Sequence, residues 1–97
     1  MAQKLFFDDF FRSPFVRALD YDTRKGYAVY IKYLDNKIKS NRIDIDNDTK
    51  LIELMNNIIL EYSDKNSAPM ARAAFIKLLK IRGVNNADFL LLKIKQK

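Results

Sequence analysis

The amino-acid sequence predicts an all-α fold, a compact bundle of four to five helices. Only two glycines and two prolines occur in 97 residues, so long segments contain no helix-breaking residue. Hydrophobic residues make up 48% of the chain. In several segments they recur at the spacing of three and four that places side chains on one helical face. A chain of this length forms one domain and can bury a core.

The first residues predict a phenylalanine-rich opening helix. Five of the seven phenylalanines lie within the first fifteen residues, and Phe7, Phe10 and Phe11 can share one helical face. This face is expected to close the core as a lid; the alternative is that part of it docks against a neighbouring domain or subunit. Ser13 and Pro14 indicate a break and a second helix start, with serine as the cap and proline in the first helical position.

A long central helix is predicted over about residues 23–39, and Ser40 with Asn41 is expected to end it. Thr23 or Asp22 is placed to cap its first turn. Its core-facing stripe consists of Tyr27, Tyr30, Ile31, Leu34 and Ile38.

The neighbouring face of the central helix is basic. It carries Arg24, Lys25, Lys32, Asn36 and Lys39 around the small residue Ala28. Long cations around a small residue let a helix backbone come close to a polyanion while the charges reach past it. Taken alone, such a face is also typical of an ordinary solvated helix.

A third helix is predicted over about residues 49–62, capped by Asn47 or Asp48. In the linker before it, Ile43 and Ile45 are expected to pack into the core. The apolar positions of the helix are Leu51, Ile52, Met55, Ile58, Ile59 and Tyr62. They are numerous enough to predict a largely buried element.

A fourth helix is predicted over about residues 68–82. Ser67 caps it, Pro69 is tolerated in its first turn, and Gly83 ends it. Its core face consists of Ala71, Ala74, Phe75, Leu78 and Leu79. Its other face presents Arg72, Ala73, Lys77 and Lys80, again with a small residue between cations.

The last residues begin with an asparagine-rich turn. Residues 88–94 are expected to form a short helix or an extended piece that packs back on the bundle through Phe89, Leu90, Leu91 and Leu92. Lysines at positions 93, 95 and 97 form a basic end.

The absence of some residue types excludes several common kinds of catalytic and metal-binding site. Without histidine or cysteine, neither a Ser-His-Asp triad nor an imidazole or thiolate metal site can be built. The series Asp44, Asp46, Asp48 resembles the start of a calcium loop. Thr49 stands where such a loop needs glycine, and Met55 stands where it needs a bidentate glutamate. We expect no enzyme active site, no metal and no cofactor.

The net charge of +6 is unevenly distributed. Residues 44–64 contain six acidic residues against Lys50 alone, so the rest of the chain is more basic than the total suggests. The acidic third helix is expected to face away from any polyanion. Nucleic acid is the commonest partner for such a basic surface, followed by anionic membranes and acidic proteins.

The location expected from the sequence is cytoplasmic and nucleoid-associated. The chain shows no signal-peptide pattern and no apolar run of transmembrane length, and the absence of cysteine fits a reducing compartment. We therefore expect no membrane partner. An amphipathic membrane-surface protein would need a free apolar helix face, and the apolar face of the fourth helix is better explained as core.

Two helical patterns, Thr23 to Tyr27 and Ala71 to Phe75, occur in a specific order. The first is followed by Ile31 and Leu34 and by an acidic connection; the second contains small residues and an arginine and is followed by Leu78, Leu79 and Gly83. Over about residues 5–95 this order resembles the N-terminal core-binding domain of the tyrosine recombinases, the phage integrase family.

The last residues add to the resemblance. Asn85, Asn86, Ala87 and Asp88, followed by Lys93, are similar to the family's linker into its catalytic domain. Asn86 stands where the family usually has proline. Residues 84–97 are accordingly expected to be a linker or tail toward a catalytic domain that this chain does not contain.

The resemblance implies a SAM-like helical bundle that clamps duplex DNA together with a catalytic domain. The helices at residues 23–39 and 68–82 would face the duplex. By match of motif, the contacts would be Arg24, Lys25, Lys32, Arg72, Lys77 and Lys80. The partners would be double-stranded DNA, the catalytic domain of the same recombinase and neighbouring protomers. The chain would be either a fragment of a recombinase or a relative that binds without cutting.

Two candidate residues can also read base edges. Asn36 can pair with adenine and Arg72 with guanine in the major groove. Simple phosphate binding or solvation is the alternative for each of them. The alternative function for the whole chain is a helical protein–protein interaction module anchored by the aromatic N-terminus.

Overall fold

Five helices connected by turns account for most of the residues that the computed structural model describes, which are 10–62 and 68–92. They are α1 (Pro14–Arg17), α2 (Tyr21–Asn41), α3 (Asp48–Glu61), α4 (Ala68–Ile81) and α5 (Ala87–Leu90). Residues 10–12 are also helical, and the described ranges contain no strand. The all-α prediction is confirmed.

Two predicted helix starts are confirmed by their capping hydrogen bonds. Ser13 Oγ accepts a hydrogen bond from the backbone N–H of Phe15 at 3.3 Å, and Pro14 is the first residue of α1. Asn47 is the cap of α3, because its side-chain oxygen accepts from the N–H of Lys50 at 3.1 Å. The predicted cap of α4, Ser67, lies outside the described residues.

The predicted start of α2 is wrong by two to three residues. The cap position is Asp20, with extended backbone angles, and Asp22 and Thr23 lie inside the first turn. The N–H of Arg24 already bonds to the carbonyl of Asp20 at 3.1 Å. The chain leaves α1 through a tight turn, and that turn decides which of several possible capping residues begins the helix.

Both long basic helices end in a left-handed residue. Gly83 has a φ of 92°, and the N–H of Val84 bonds to the carbonyl of Leu79 at 2.9 Å, which confirms the predicted glycine terminus of α4. At the end of α2, Arg42 has a φ of 53°, and the N–H of Ile43 bonds to the carbonyl of Ile38 at 3.1 Å. Therefore α2 runs through Ser40 and Asn41, which were expected to end it.

The core lies between α2, α3 and α4 and is closed by the N-terminal residues. The predicted core face of α4 is buried in full, and α3 buries Leu51, Met55, Ile58 and Ile59. Phe10 and Val16 are fully buried, which supports the lid interpretation for the described part of the N-terminus. Of the other two expected lid residues, Phe11 is half-buried against the core and Phe7 lies outside the described residues. Ile43 and Ile45 are half-buried against the core, as expected.

The two basic helices run in the same direction with α3 antiparallel to both. The start of α3 lies beside the end of α2, where Lys50 and Asn41 line one recess. The end of α3 reaches back to the middle of α2, where Tyr33 donates to Glu61. The end of α4 meets the start of α3, where Arg82 contacts Asp48. Near their starts α2 and α4 lie close together, with Gly26 beside Met70.

The expected packing of the last apolar residues is mostly wrong. Leu91 is buried, but Phe89 is 91% exposed and Leu90 and Leu92 are exposed as well. A single helical turn can direct only part of its side chains inward, and the Asn56 amide bonds to the carbonyl of Leu90 and the N–H of Leu92. Those bonds hold the backbone against α3 and leave Phe89 outside.

Of the helices in the described ranges, none has both the length and the apolar character needed to cross a lipid bilayer.

Candidate nucleic-acid interface

One face of α2 is a continuous exposed basic surface. The helical repeat places Lys25, Lys32, Asn36 and Lys39 on one side, opposite the buried Ile31, Leu34 and Ile38. All four of these polar residues are exposed. From position 25 to position 39 the helix rises by about 21 Å. We call these four residues the α2 basic face.

Arg24 occupies a different environment from the other predicted residues of this helix. It is half-buried, and its Nε atom is buried without a hydrogen-bond partner among the described residues. The helical repeat places it at the border between the α2 basic face and the core stripe. It can add positive charge to the surface, while its stem belongs to the packing.

The predicted basic residues of α4 divide into two groups. Lys80 is exposed and Lys77 is half-buried, and Ala73 shares their side of the helix. Arg72 lies on another flank, where its Nη2 atom donates to the backbone carbonyl of Asp88 at 2.7 Å. Arg72 therefore fastens α5 to α4. The sequence carried no local signal for this contact, because the two residues are 16 positions apart.

The N-terminal segment contacts both basic helices. The rings of Phe10 and Tyr27 lie edge to face with centroids 6.3 Å apart, which joins the segment to α2. Phe15 borders a recess of about 270 Å³ together with Lys77, Lys80, Ile81 and Asn85. Phe15 is not among the site residues predicted from the sequence. Its position one residue after the helix-starting Pro14 was the available signal.

Two other cations form ion pairs with acidic residues of α3. Lys37 lies 4.0 Å from Glu61, and Arg82 lies 3.0 Å from Asp48. Neither cation belongs to the predicted set. Within residues 10–62 and 68–92, the five predicted lysines form no ion pair. Lys39 borders a recess that also contains Asp44 and Asp46. The exposed charges of Lys25 and Lys32 are available to an anionic partner.

Most of the exposed acidic residues in the described ranges lie on α3 and on the linker before it. Asp44, Asp46, Asp48, Glu53 and Glu61 are all exposed on α3 or on the linker before it. One recess on this side brings Glu53 and Glu61 together with Lys37 and Lys50. Its mixed charges contrast with the α2 basic face, which contains no acidic residue.

The lysines and Asn36 of the site offer charged and polar contacts to a partner. The described residues contain no cluster of acidic side chains able to hold a metal ion. The pKa of Tyr33 is raised, first because its O–H donates to Glu61 at 2.6 Å. That tyrosine faces α3 and lies away from the basic surfaces. The arrangement can bind anions by charge and hydrogen bonding.

The fold and the site define the class as a small all-α protein with exposed basic surfaces on two parallel helices. No protein-family model, curated protein or solved structure matches this chain. The resemblance to the core-binding domain of the tyrosine recombinases stays a prediction from the sequence motifs.

Proposed function

We propose that the protein binds double-stranded DNA through the α2 basic face, with Lys77 and Lys80 of α4 as further contacts. The proposal rests on a difference between two groups of cations. Lys37 and Arg82 pair with acids on or next to α3, whereas the lysines of the α2 basic face are exposed and form no ion pair in the described ranges. Phosphates are the anions that such a row of cations fits.

The binding follows from counterion release along the duplex. Each lysine that neutralises a phosphate releases condensed cations, so affinity falls as salt rises. Phosphate contacts position a protein on DNA and carry little sequence information. Asn36 lies between Lys32 and Lys39 on the same face, so it is the residue placed to read an adenine edge in the major groove.

More specifically, we propose that the chain is a core-binding domain of a site-specific tyrosine recombinase. What supports it is the order of the Thr23 to Tyr27 and Ala71 to Phe75 motifs. In that form, a catalytic domain would hold the opposite side of the duplex and neighbouring protomers would bind next to it. The location would be cytoplasmic and nucleoid-associated.

The experiment is fluorescence anisotropy with a labelled random-sequence duplex at several salt concentrations. With about four to six phosphates engaged, log affinity should fall against log salt with a slope of roughly −3.6 to −5.4. Lys32→Glu should weaken binding and make the slope shallower by about 0.9 or more. Lys50→Glu is the matched control, because it also reverses one exposed helical lysine but lies on α3.

Three results would overturn the proposal. Salt-insensitive binding, no binding, or equal weakening by Lys32→Glu and Lys50→Glu would show that the α2 basic face is not the contact surface. The double variant Lys25→Glu with Lys32→Glu strengthens the test. Both side chains are exposed, so the fold should change in stability by less than about 0.5 kcal/mol per site.

A protein–protein interaction module is the second candidate, and one observation favours it. Phe89 is 91% exposed, and it forms an apolar patch with Leu90 and Leu92 on α5 and the residues after it. Of the predicted aromatic anchors at the N-terminus, Phe10 is buried and Phe11 is half-buried, whereas Phe15 is 67% exposed. Phe89→Ser that leaves duplex binding unchanged but abolishes self-association or partner binding would support this function.

A further inference from the structure

Phe15 is exposed beside two lysines on the surface formed by α1 and α4. Its side chain is 67% exposed, although phenylalanine is ordinarily a core residue. The recess that it borders also contains Lys77, Lys80 and Asn85. An exposed aromatic ring next to cations is the arrangement that proteins use to hold unpaired nucleotides.

The core does not require an aromatic residue at position 15. Phe10 and Val16, on either side of it in sequence, already fill the interior and are fully buried. The Ser13 cap and the helical Pro14 set the direction of α1, and the ring of Phe15 consequently lies outside. Its exposure follows from the backbone geometry of the segment, so the ring is available to a partner.

The charges around Phe15 indicate what kind of partner fits. None of the residues lining its recess is acidic. By contrast, three other recesses contain carboxylates. One contains Glu53 and Glu61, one contains Asp44 and Asp46, and the one around Phe89 contains Asp88. A flat, apolar ring with negative charge attached is complementary to the recess at Phe15, and a nucleotide has both features.

We propose that Phe15 stacks on an unpaired base of DNA, while Lys77 and Lys80 hold the adjacent phosphates. The Asn85 amide lies in the same recess and can bond to the edge of the stacked base. The inference rests on the proposed DNA binding and adds a ligand class. The protein prefers duplex DNA that contains an unpaired base, such as a bulge or a frayed end, over a fully paired duplex.

The first measurement compares two labelled DNAs that differ only in a central bulge of unpaired nucleotides. The unaltered protein should bind the bulged duplex about fivefold or more tightly than the paired one, since one base stacked on an aromatic ring supplies at least that factor. Phe15→Ala and Phe15→Leu should both remove the preference, because leucine keeps the apolar bulk without the aromatic face. Phe15→Trp should keep it, and Phe89→Ala is the matched control at an exposed phenylalanine elsewhere.

The second measurement detects the stack directly. The chain contains no tryptophan, so Phe15→Trp introduces a single fluorophore at the site. A bulged duplex should quench its emission more than the paired duplex does at equal saturation. The same DNA should leave the emission of Phe89→Trp unchanged, because that residue lies in a separate recess beside Asn56.

The outcomes separate this inference from the function on which it rests. Salt-sensitive binding of both DNAs with equal affinity, or a bulge preference that survives Phe15→Ala, would overturn the stacking site and leave duplex binding intact. Failure to bind either DNA would overturn both. If Phe15→Ala instead abolishes self-association and leaves the bulge preference unchanged, the ring is a protein contact and the inference is wrong.

Discussion

Arg82 and Asp48 join the end of α4 to the start of α3 across 34 positions of sequence, with Nη2 of Arg82 3.0 Å from Oδ1 of Asp48. The same Nη2 atom donates to the backbone carbonyl of Ile45 at 2.7 Å. The Arg82 side chain is mostly shielded from solvent, whereas Asp48 is half exposed. This arginine therefore holds the linker and the acidic helix in place.

Arg82→Ala should lower the free energy of unfolding by about 1.5–3 kcal/mol, because it removes charge-assisted hydrogen bonds to a carbonyl and a carboxylate. Urea unfolding followed by circular dichroism measures the change. Lys80→Ala, two residues earlier and exposed, is the control and should shift stability by less than about 0.5 kcal/mol. Equal stability of the two variants would contradict the structural role of Arg82.

Arg72→Ala should also destabilise the fold, by about 1–2 kcal/mol, because its guanidinium donates to the carbonyl of Asp88 and fastens α5. Lys77→Ala, on the same helix, should leave stability nearly unchanged. Hydrogen exchange at the amides of α5 should rise in Arg72→Ala alone. If Arg72→Ala weakens DNA binding but changes neither stability nor hydrogen exchange, then Arg72 contacts DNA and does not hold α5 against α4.

The two glycines should respond to alanine in opposite directions. Gly26→Ala should stabilise the protein by about 0.5–1 kcal/mol, because glycine in a helix interior loses more backbone entropy than alanine. A Cβ at position 26 would lie 3.4 Å from Met70 Sδ, an ordinary contact with a flexible and partly exposed side chain.

Gly83→Ala should destabilise the protein by about 1–2 kcal/mol, although nothing lies within 4 Å of a Cβ there, because its φ of 92° strains an L side chain. Thermal unfolding of the two variants side by side checks both signs. Destabilisation by Gly26→Ala would mean that Met70 cannot move away from the new methyl group.

Tyr33 should give a separate step in the alkaline titration of the tyrosines. Its pKa is raised, first by the hydrogen bond that its O–H donates to Glu61 and then by desolvation. The protonated phenol is favoured in the folded state. Its contribution to stability is present below the ordinary tyrosine pKa of about 10 and is lost as pH rises through the raised value.

Ultraviolet titration of tyrosinate should show this step at higher pH than that of an exposed tyrosine. Tyr33→Phe should remove it, and Glu61→Gln should move it downward. Tyr21→Phe is the control, because Tyr21 is 67% exposed. A step at high pH that persists in Tyr33→Phe would assign the raised pKa to another tyrosine.

The helices and their inward faces could be predicted because the signals are local. The periodic apolar residues of α4 predicted the buried Ala71, Phe75 and Leu78, and Gly83 predicted the end of the helix. Side chains three and four positions apart share a face whatever the rest of the chain does. The composition likewise excluded histidine and cysteine chemistry. The start of α2 could not be predicted as well, because several adjacent residues can cap a helix.

Tertiary structure alone decided which charged and aromatic residues are free. Arg72 and Lys77 look equivalent in the sequence, yet the carbonyl of Asp88 engages only Arg72. Phe10 and Phe15 look equivalent too, yet one is buried and the other is exposed. Helical periodicity tells on which face a side chain lies. Which element packs against that face depends on contacts between residues far apart in the chain, and no local pattern encodes them.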